Sequence, residues 1–303
     1  MLTEGESMST LMRRIFFCII GIIAGLAAWP ISEFILLLQS SFPSYLIFSI
    51  VLGMFLGILF GAFFGSSEGI IMSIKPNILT GILHGAVIGI AGGIIGFLAG
   101  QAALFIIGET FIHSMKRFNT IGFPISRAIG WAFMGVFLGM VEGIRSRSTD
   151  KLRVGILGGI LGGITGGLVL EYFRILIPNI MFARLFGIII FGLLIGLFYG
   201  FVQVRLSFGV LRLLNGKFKG KEFLINQKKM KIGISEKNDI VLSGYSKISD
   251  QHAELLVKKN EVIIKNLDSK TPVTINEDKI KEHLLKLEDV IKIGSAKFIF
   301  KFD

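Results

Sequence analysis

The pattern of apolar and polar positions divides the chain into two parts. Long apolar runs with few charges fill the chain from Ile15 to about Val204. A helix that spans a bilayer needs about 20 predominantly apolar residues. Six stretches meet this requirement and predict membrane helices at residues 14–38, 44–66, 78–107, 126–144, 153–173 and 181–205.

After Ser207 the pattern changes to short alternating runs separated by polar turns. Many short strands joined by turns are typical of a β-sandwich. The predicted strands lie at residues 210–214, 222–225, 230–234, 240–242, 254–257, 262–264, 273–275, 290–293 and 297–302. We therefore predict a multidomain chain, with a tail at 1–13, an all-α membrane bundle at 14–206 and an all-β domain at 208–303.

Glycines spaced by four residues recur in the membrane part. Segment 61–93 matches segment 135–167 at one constant offset, and a third copy begins at Gly192, where Gln203 replaces a glutamate. Such self-similarity predicts tandem helical hairpins. Glycine stripes let helices approach closely in lipid, which we favour over a pore lining. The predicted packing residues are Gly61, Gly65, Gly85, Gly89, Gly135, Gly139, Gly159, Gly163, Gly192 and Gly196.

The composition indicates an integral membrane protein, because 52% of the residues are hydrophobic and only 17% are charged. The first apolar run is longer than that of a cleavable signal peptide, which predicts a retained helix. The net charge of +11 is not gathered in one stripe with interleaved aromatics, so we expect no nucleic-acid partner. The single cysteine, Cys18, excludes an internal disulfide framework and fits a cytosolic β-domain.

The distribution of basic residues predicts the orientation, because Lys and Arg favour short cytoplasmic loops. With six spans, one side carries Arg13, Arg14, Lys75, Arg145, Arg147, Lys151, Arg153 and Arg205. The bias is imperfect, since the opposite side carries Lys116, Arg117, Arg127, Arg174 and Arg184. We predict a multi-pass protein of the cytoplasmic (inner) membrane, in contact with membrane lipid and with both termini in the cytoplasm.

The β-part contains an ordered series of motifs: Ile232-Gly233, Asn238 to Leu242, Ile248 to Ala253, Leu267 to Lys270, Ile275-Asn276 and Asp289 to Gly294. Together they resemble the signature of forkhead-associated (FHA) domains over about residues 208–303. The resemblance implies an eleven-stranded sandwich whose loops at one end bind phosphothreonine peptides. FHA domains joined to membrane segments are typical of bacteria.

The phosphate-binding positions depart from the family pattern. The arginine after the first glycine is here Ile234, the arginine of the serine-arginine-x-histidine motif is Asp250, and the asparagine-glycine pair is Thr271-Pro272. A phosphate of about two negative charges needs charge-assisted donors, so we do not expect phosphothreonine binding. The predicted partner-binding residues are Ile234, Ser249, Asp250, Thr271 and Asn276, and the predicted structural residues are Gly233, His252, Asp289 and Gly294.

Four carboxylates in or near the spans, Glu33, Glu68, Glu142 and Glu171, are the candidates for an intramembrane polar site. Each falls towards a helix end, which favours a structural or interfacial role. His84 lacks neighbouring metal ligands in the sequence. No nucleophile and base stand in a catalytic arrangement, so we expect no enzyme activity, no metal and no cofactor.

These observations favour a membrane-anchored interaction or scaffold protein whose degenerate FHA domain recruits or senses a cytosolic protein partner. The glycine stripes leave room for a homo-oligomer. Two alternatives stay open: a transporter or channel with a regulatory FHA domain, and a phosphothreonine-dependent signalling adaptor.

Overall fold

A computed structural model describes residues 10–72, 75–111, 114–216 and 218–302. The chain forms two compact units. One comprises residues 14–203 and is helical, and the other consists chiefly of residues 204–303 and is built from strands. The predicted combination of a helical bundle followed by a β-sandwich is confirmed.

Six helices within the described residues are long and apolar enough to cross a membrane. The first begins at Thr10, so the described end of the predicted tail is helical. The fourth includes a π-helical turn at Phe118–Gly122 and begins well before the predicted span. The helices are α1 Thr10–Leu37, α2 Tyr45–Met72, α3 Lys75–Thr110, α4 Met115–Arg145, α5 Thr149–Leu176 and α6 Ile180–Arg205.

Glycine brings the backbones of paired helices together. A Cβ atom on Gly89 of α3 would lie 2.0 Å from the carbonyl oxygen of Gly57 in α2, closer than side-chain atoms can pack. The same kind of approach joins α4 to α5 and α1 to α6. The predicted glycines meet these neighbours: Gly61 with Gly85, Gly65 with Gly81, Gly135 with Gly159, Gly139 with Gly155, Gly163 with Trp131, Gly192 with Gly21 and Gly196 with Phe17.

The pairing of α1 with α6 explains the incomplete third repeat. Gly192 and Gly196 of α6 occupy the stripe positions that Gly57 and Gly61 occupy in α2. The helix opposite this stripe comes from the start of the chain, since the carbonyl of Gly21 lies against Gly192. The third hairpin is therefore assembled from the last and the first helices.

Aromatic side chains pack against one another inside the helical unit. Phe60, Phe191 and Met134 are completely buried. The rings of Phe60 and Phe191 meet edge to face with their centres 5.4 Å apart, and the Trp131 ring lies 4.6 Å from that of Phe191. Aromatic pairs at these separations add to the free energy of burial. The helices thus pack around an aromatic core.

The β-unit is a sandwich of two sheets with eleven strands in the described residues. The six-stranded sheet has the order β2-β1-β11-β10-β7-β8 and the five-stranded sheet has the order β4-β3-β5-β6-β9. The strands are β1 Val210–Leu213, β2 Glu222–Leu224, β3 Lys229–Gly233, β4 Ile240–Val241, β5 Ala253–Lys258, β6 Glu261–Asn266, β7 Thr274–Ile275, β8 Asp278–Lys279, β9 Glu282–Leu284, β10 Val290–Ile293 and β11 Ala296–Lys301.

All nine predicted strands are present, with ends shifted by at most two residues. The two additional strands, β8 and β9, are short and polar and carry no alternating apolar pattern. Their pairing depends on neighbours: β8 pairs antiparallel with β7, and β9 pairs antiparallel with β6. Apolar side chains such as Ile264 and Phe298 are fully buried and form the core of the sandwich.

Candidate functional site

Three loops carry the predicted partner-binding residues of the sandwich. They follow β3, β4 and β6 and span residues 234–239, 242–252 and 267–273, and we call them the recognition loops. Glycine lets the first two approach, because a Cβ atom on Gly233 would lie 2.2 Å from the carbonyl oxygen of Asp250. The Asn238 amide donates a hydrogen bond of 2.6 Å to the same carbonyl. The end of β3 therefore fixes the position of Asp250.

The carboxylate of Asp268 joins the second recognition loop to the third. It accepts hydrogen bonds from the Ser249 hydroxyl at 2.6 Å, from the Thr271 hydroxyl at 2.9 Å and from the Lys270 backbone N–H at 2.9 Å. These bonds, led by the one from Ser249, lower the pKa of Asp268 to about 2. The two hydroxyls of the predicted site thus donate to a carboxylate of the domain itself.

His252 lies beneath these loops and is completely buried. Its Nδ1 accepts a hydrogen bond of 3.2 Å from the Ser249 backbone N–H and lies 3.7 Å from the Asp268 carboxylate. Burial lowers the pKa of His252, against the opposing effects of Asp268 and the Thr271 backbone. A neutral ring that accepts from the Ser249 backbone supports the loop from below.

Of the predicted partner-binding residues in the recognition loops, Ile234 and Asp250 are exposed. The Ile234 side chain is 39% exposed, and its backbone N–H donates to the Ser249 carbonyl at 3.2 Å. The Asp250 side chain is also exposed. These two positions present an apolar group and a negative charge, and the same loops also expose Lys237, Lys247 and Lys270.

Two further groups of residues support the sandwich. Gly294, with a φ of 56°, begins the β10–β11 turn, and the next residue, Ser295, accepts a hydrogen bond from the Ser246 backbone through its hydroxyl. Asn276 does not join the recognition loops. It lies in the β7–β8 turn, and its amide donates to the Asp289 carboxylate at 2.9 Å. Asp289 also accepts from the Lys286 backbone at 2.8 Å.

Asp268 and Asn238 belong to the recognition loops but were not among the predicted site residues. A local signal existed for Asp268, since an aspartate that accepts from the backbone N–H two residues later forms an Asx-turn. In the sequence, Asp268 stands after a strand and is followed by Lys270 and Thr271, the two residues that donate to it. Nothing in the sequence places Asn238 against the Asp250 carbonyl, because that contact depends on the parallel pairing of β3 with β4.

Each of the four carboxylates of the helical unit has a polar side-chain partner. Glu33 pairs with Arg184, and the Arg184 Nη2 and Glu33 Oε2 atoms are 2.6 Å apart. Glu68 accepts a hydrogen bond of 2.8 Å from the Gln203 amide. Glu142 bonds Arg145 at 2.9 Å and Lys151 at 3.2 Å. Glu171 bonds Arg174 at 3.0 Å.

The described residues contain no cluster of three or more His, Cys, Asp or Glu side chains that would hold a metal ion. His84 is exposed, and its Nδ1 lies 2.7 Å from the Thr80 carbonyl oxygen of the same helix.

A family model and several solved structures match the residues of the sandwich. Residues 212–302 match the family model described as the inner membrane component of the type III secretion system (T3SS), cytoplasmic domain. The FHA domain of CT664 from Chlamydia trachomatis is similar at 30% identity, covering 31% of this chain and 95% of that chain, with a TM-score of 0.29. The comparison with curated proteins finds no match.

Two other solved structures are similar at lower coverage or identity. The FhaA FHA domain, complexed with the intracellular domain of Rv3910, has 22% identity over 31% of this chain and 99% of that chain, with a TM-score of 0.29. The second FHA domain of a Mycobacterium tuberculosis ABC transporter has 27% identity over 24% of this chain and 67% of that chain, with a TM-score of 0.23. The predicted resemblance is confirmed: the sandwich is an FHA-type domain, matched over residues 212–302 by the secretion-component model.

Proposed function

We propose that this chain is a membrane-anchored interaction protein whose FHA-type domain recruits a cytosolic protein partner without reading phosphothreonine. One observation carries the proposal: Asp268 accepts hydrogen bonds from the hydroxyls of Ser249 and Thr271. Those hydroxyls stand at the positions where the resemblance implies contacts with a phosphopeptide. In this chain an internal carboxylate satisfies them.

Electrostatics opposes a phosphate dianion at these loops. The phosphate would have to displace Asp268 from its donors and approach the exposed carboxylate of Asp250. Strong phosphate recognition relies on charge-assisted donors such as arginine, and Ile234 stands where the family places one. Repulsion by two carboxylates makes a neutral or basic segment the better ligand.

The surface of the recognition loops fits a protein segment with one apolar and one cationic side chain. Ile234 offers an exposed apolar contact, and Asp250 offers a charge partner. Loops held by a rigid sandwich are common sites of protein recognition. Hydrogen bonds to the Asp268 carboxylate hold the backbone of these loops, which lowers the entropy lost on binding.

The helical unit provides the membrane anchor in this proposal. Both ends of the helical unit lie in the cytoplasm in this proposal, which is supported by an even number of six candidate spans and by the distribution of Lys and Arg. The matched family is named for an inner-membrane component with a cytoplasmic domain, which supports this orientation. A partner recruited by the recognition loops is thereby held at the inner membrane.

The proposal is tested by affinity capture with the full-length protein and with the chain truncated after Arg205. We expect a set of partners to be lost on truncation and to bind equally well after the lysate is treated with phosphatase. Ile234→Asp should reduce their capture about tenfold, because a central apolar contact in an interface contributes more than 1 kcal/mol.

A matched control is Leu287→Asp, which changes another exposed apolar side chain in the turn before β10. This turn lies at the other end of the sandwich, since Leu285 bonds to Val262 near the start of β6. Capture should be unaffected. Loss of the partners on phosphatase treatment would refute phosphate-independent recognition.

A further inference from the structure

The helical unit contains a cavity of about 410 Å³ to which all six helices contribute. This volume lies in the range of sites for small ligands. One part of its wall is polar and includes Tyr45, Glu171 and three arginines, Arg127, Arg174 and Arg184. The other part is apolar and aromatic and includes Leu56, Phe97, Trp131, Leu170 and Ile188.

The three arginines are not equally neutralised. Arg174 pairs with Glu171 at 3.0 Å, and Arg184 pairs with Glu33. Arg127 has no carboxylate partner among the described residues. Its guanidinium donates to the neutral Tyr45 hydroxyl at 2.9 Å. One positive charge at the cavity is therefore left over.

The position of Arg127 is fixed, and part of its binding capacity is unused. Its guanidinium carbon lies 5.3 Å from the centre of the Phe123 ring, and that of Arg174 lies 5.8 Å from the same ring. Within the described residues, the buried Nε of Arg127 has no hydrogen-bond acceptor. A buried donor without an acceptor costs free energy, which an incoming acceptor recovers.

The location of these arginines runs against the overall charge bias. They lie on the side of the membrane opposite the more basic loops, where Lys and Arg are disfavoured. An arginine near a membrane that lacks a carboxylate partner is costly unless a ligand or water meets it. Charge complementarity therefore points to an anion.

From this geometry we infer that the cavity binds an anionic amphiphile. Its carboxylate or phosphate headgroup lies on Arg127, and its hydrocarbon chain lies along the apolar part of the wall at Trp131. The headgroup supplies an acceptor for the free Nε and balances the extra charge. The apolar part of the wall favours a hydrocarbon chain over a small hydrated anion. This binding is independent of the FHA-type domain.

Trp131 provides a direct readout, because the chain has two tryptophans and the other, Trp29, does not line the cavity. The experiment uses the full-length protein with Trp29→Phe in a neutral detergent at mildly alkaline pH. Dibrominated stearate, whose bromines quench tryptophan on contact, is compared with its uncharged methyl ester. We expect saturable quenching by the acid and weak, unsaturable quenching by the ester. Equal quenching by both would overturn the inference, and this comparison needs no cavity variant.

A second arm changes the cavity. Arg127→Gln should weaken the binding of the brominated acid about tenfold, the effect of losing one charge-assisted hydrogen bond. Arg153→Gln is the matched control, because Arg153 is exposed at the start of α5 and does not line the cavity. Arg127→Lys keeps the charge and should bind more tightly than Arg127→Gln. Unchanged affinity in Arg127→Gln would overturn the inference.

The source of the headgroup is distinguished by two further probes. Octanoate should displace the brominated acid, and inorganic phosphate should not. If phosphate displaces it as well as octanoate does, the site takes a free anion and the amphiphile assignment is wrong. In nanodiscs, stronger quenching by brominated phosphatidylglycerol than by brominated phosphatidylcholine would support the inference and assign the ligand to the bilayer.

Discussion

The helical unit and the sandwich stabilise their carboxylates in different ways. In the helices, Glu33 and Glu171 are met by arginine side chains. In the sandwich, Asp268 and Asp289 accept from backbone N–H groups and from neutral side chains. Inside a helix the backbone N–H groups bond to carbonyls of the same helix, whereas the loops of a sandwich leave backbone N–H groups available to side chains. Local backbone geometry therefore decides whether backbone donors are available to a carboxylate.

This comparison also explains how helices make contact when their backbone donors are occupied. They use close approach through glycine, as at Gly57 and Gly89, and pairs of polar side chains, as at Glu68 and Gln203. The recognition loops use donors of their own backbone. Substitutions at the glycine contacts, at the polar side-chain pairs and at the groups bound by backbone donors should therefore have effects of different size.

Close approach should give the largest effect. Gly89→Ala places a Cβ atom 2.0 Å from the Gly57 carbonyl and should destabilise the folded protein by about 3 kcal/mol, because neither backbone can move without separating α2 from α3. The matched control is Gly100→Ala in the same helix, where the nearest atom would be 3.5 Å away. Thermal unfolding of the purified protein measures both. Equal stability of the two variants would contradict packing through glycine.

Side-chain pairing should give an intermediate effect. Gln203→Glu places a second carboxylate beside Glu68 in a buried site and should cost about 2 kcal/mol by repulsion and desolvation. Combining it with Glu68→Gln exchanges the two groups and should restore most of the stability. The same unfolding assay applies. If the double variant is as unstable as Gln203→Glu, the pair is not the source of the effect.

Backbone donors in the recognition loops should give the smallest effect, and one that depends on pH. The pKa of Asp268 lies at about 2, below its ordinary value of 3.8. Its stabilising contribution is therefore complete above about pH 4 and is lost as the pH falls through the lower value. Asp268→Asn should lower the urea midpoint of the fragment 204–303 at neutral pH, and the difference from the unsubstituted fragment should shrink towards pH 2.

Asp278→Asn is the control for this measurement, since Asp278 is exposed in β8. It should leave the urea midpoint unchanged at neutral pH. A difference between Asp268→Asn and the unsubstituted fragment that persists at acid pH would show that the carboxylate charge is not what holds the loops.

The sequence predicts the helices and most strands because each has a local signal. Long apolar runs indicate spans, and alternation indicates buried strands such as β10 and β11. Strand β8 has no such signal, because both of its residues are exposed and its pairing with β7 comes from a tight turn at Asn276 and Glu277. Helix α4 begins before the predicted span 126–144. Polar residues near Asn119 carry no apolar signal, but they continue the helix through a π-helical turn.

The candidate sites were predictable only in part. The motif positions located Ser249 and His252, and the structure brings both to Asp268. Asn276 belongs to one of the motifs but bonds to Asp289, since the β7–β8 turn carries it away from the recognition loops. The arginine-lined cavity has no sequence pattern of its own, because its walls come from six helices, and its only trace was the imperfect charge bias.

The pairing of the first helix with the last has a consequence for biosynthesis. Gly21 finds its counterpart, Gly192, only after nearly the whole helical unit has left the ribosome. Until then α1 sits in the bilayer with its narrow face covered by lipid. The contact between α1 and α6 can therefore form only after all six helices have been translated.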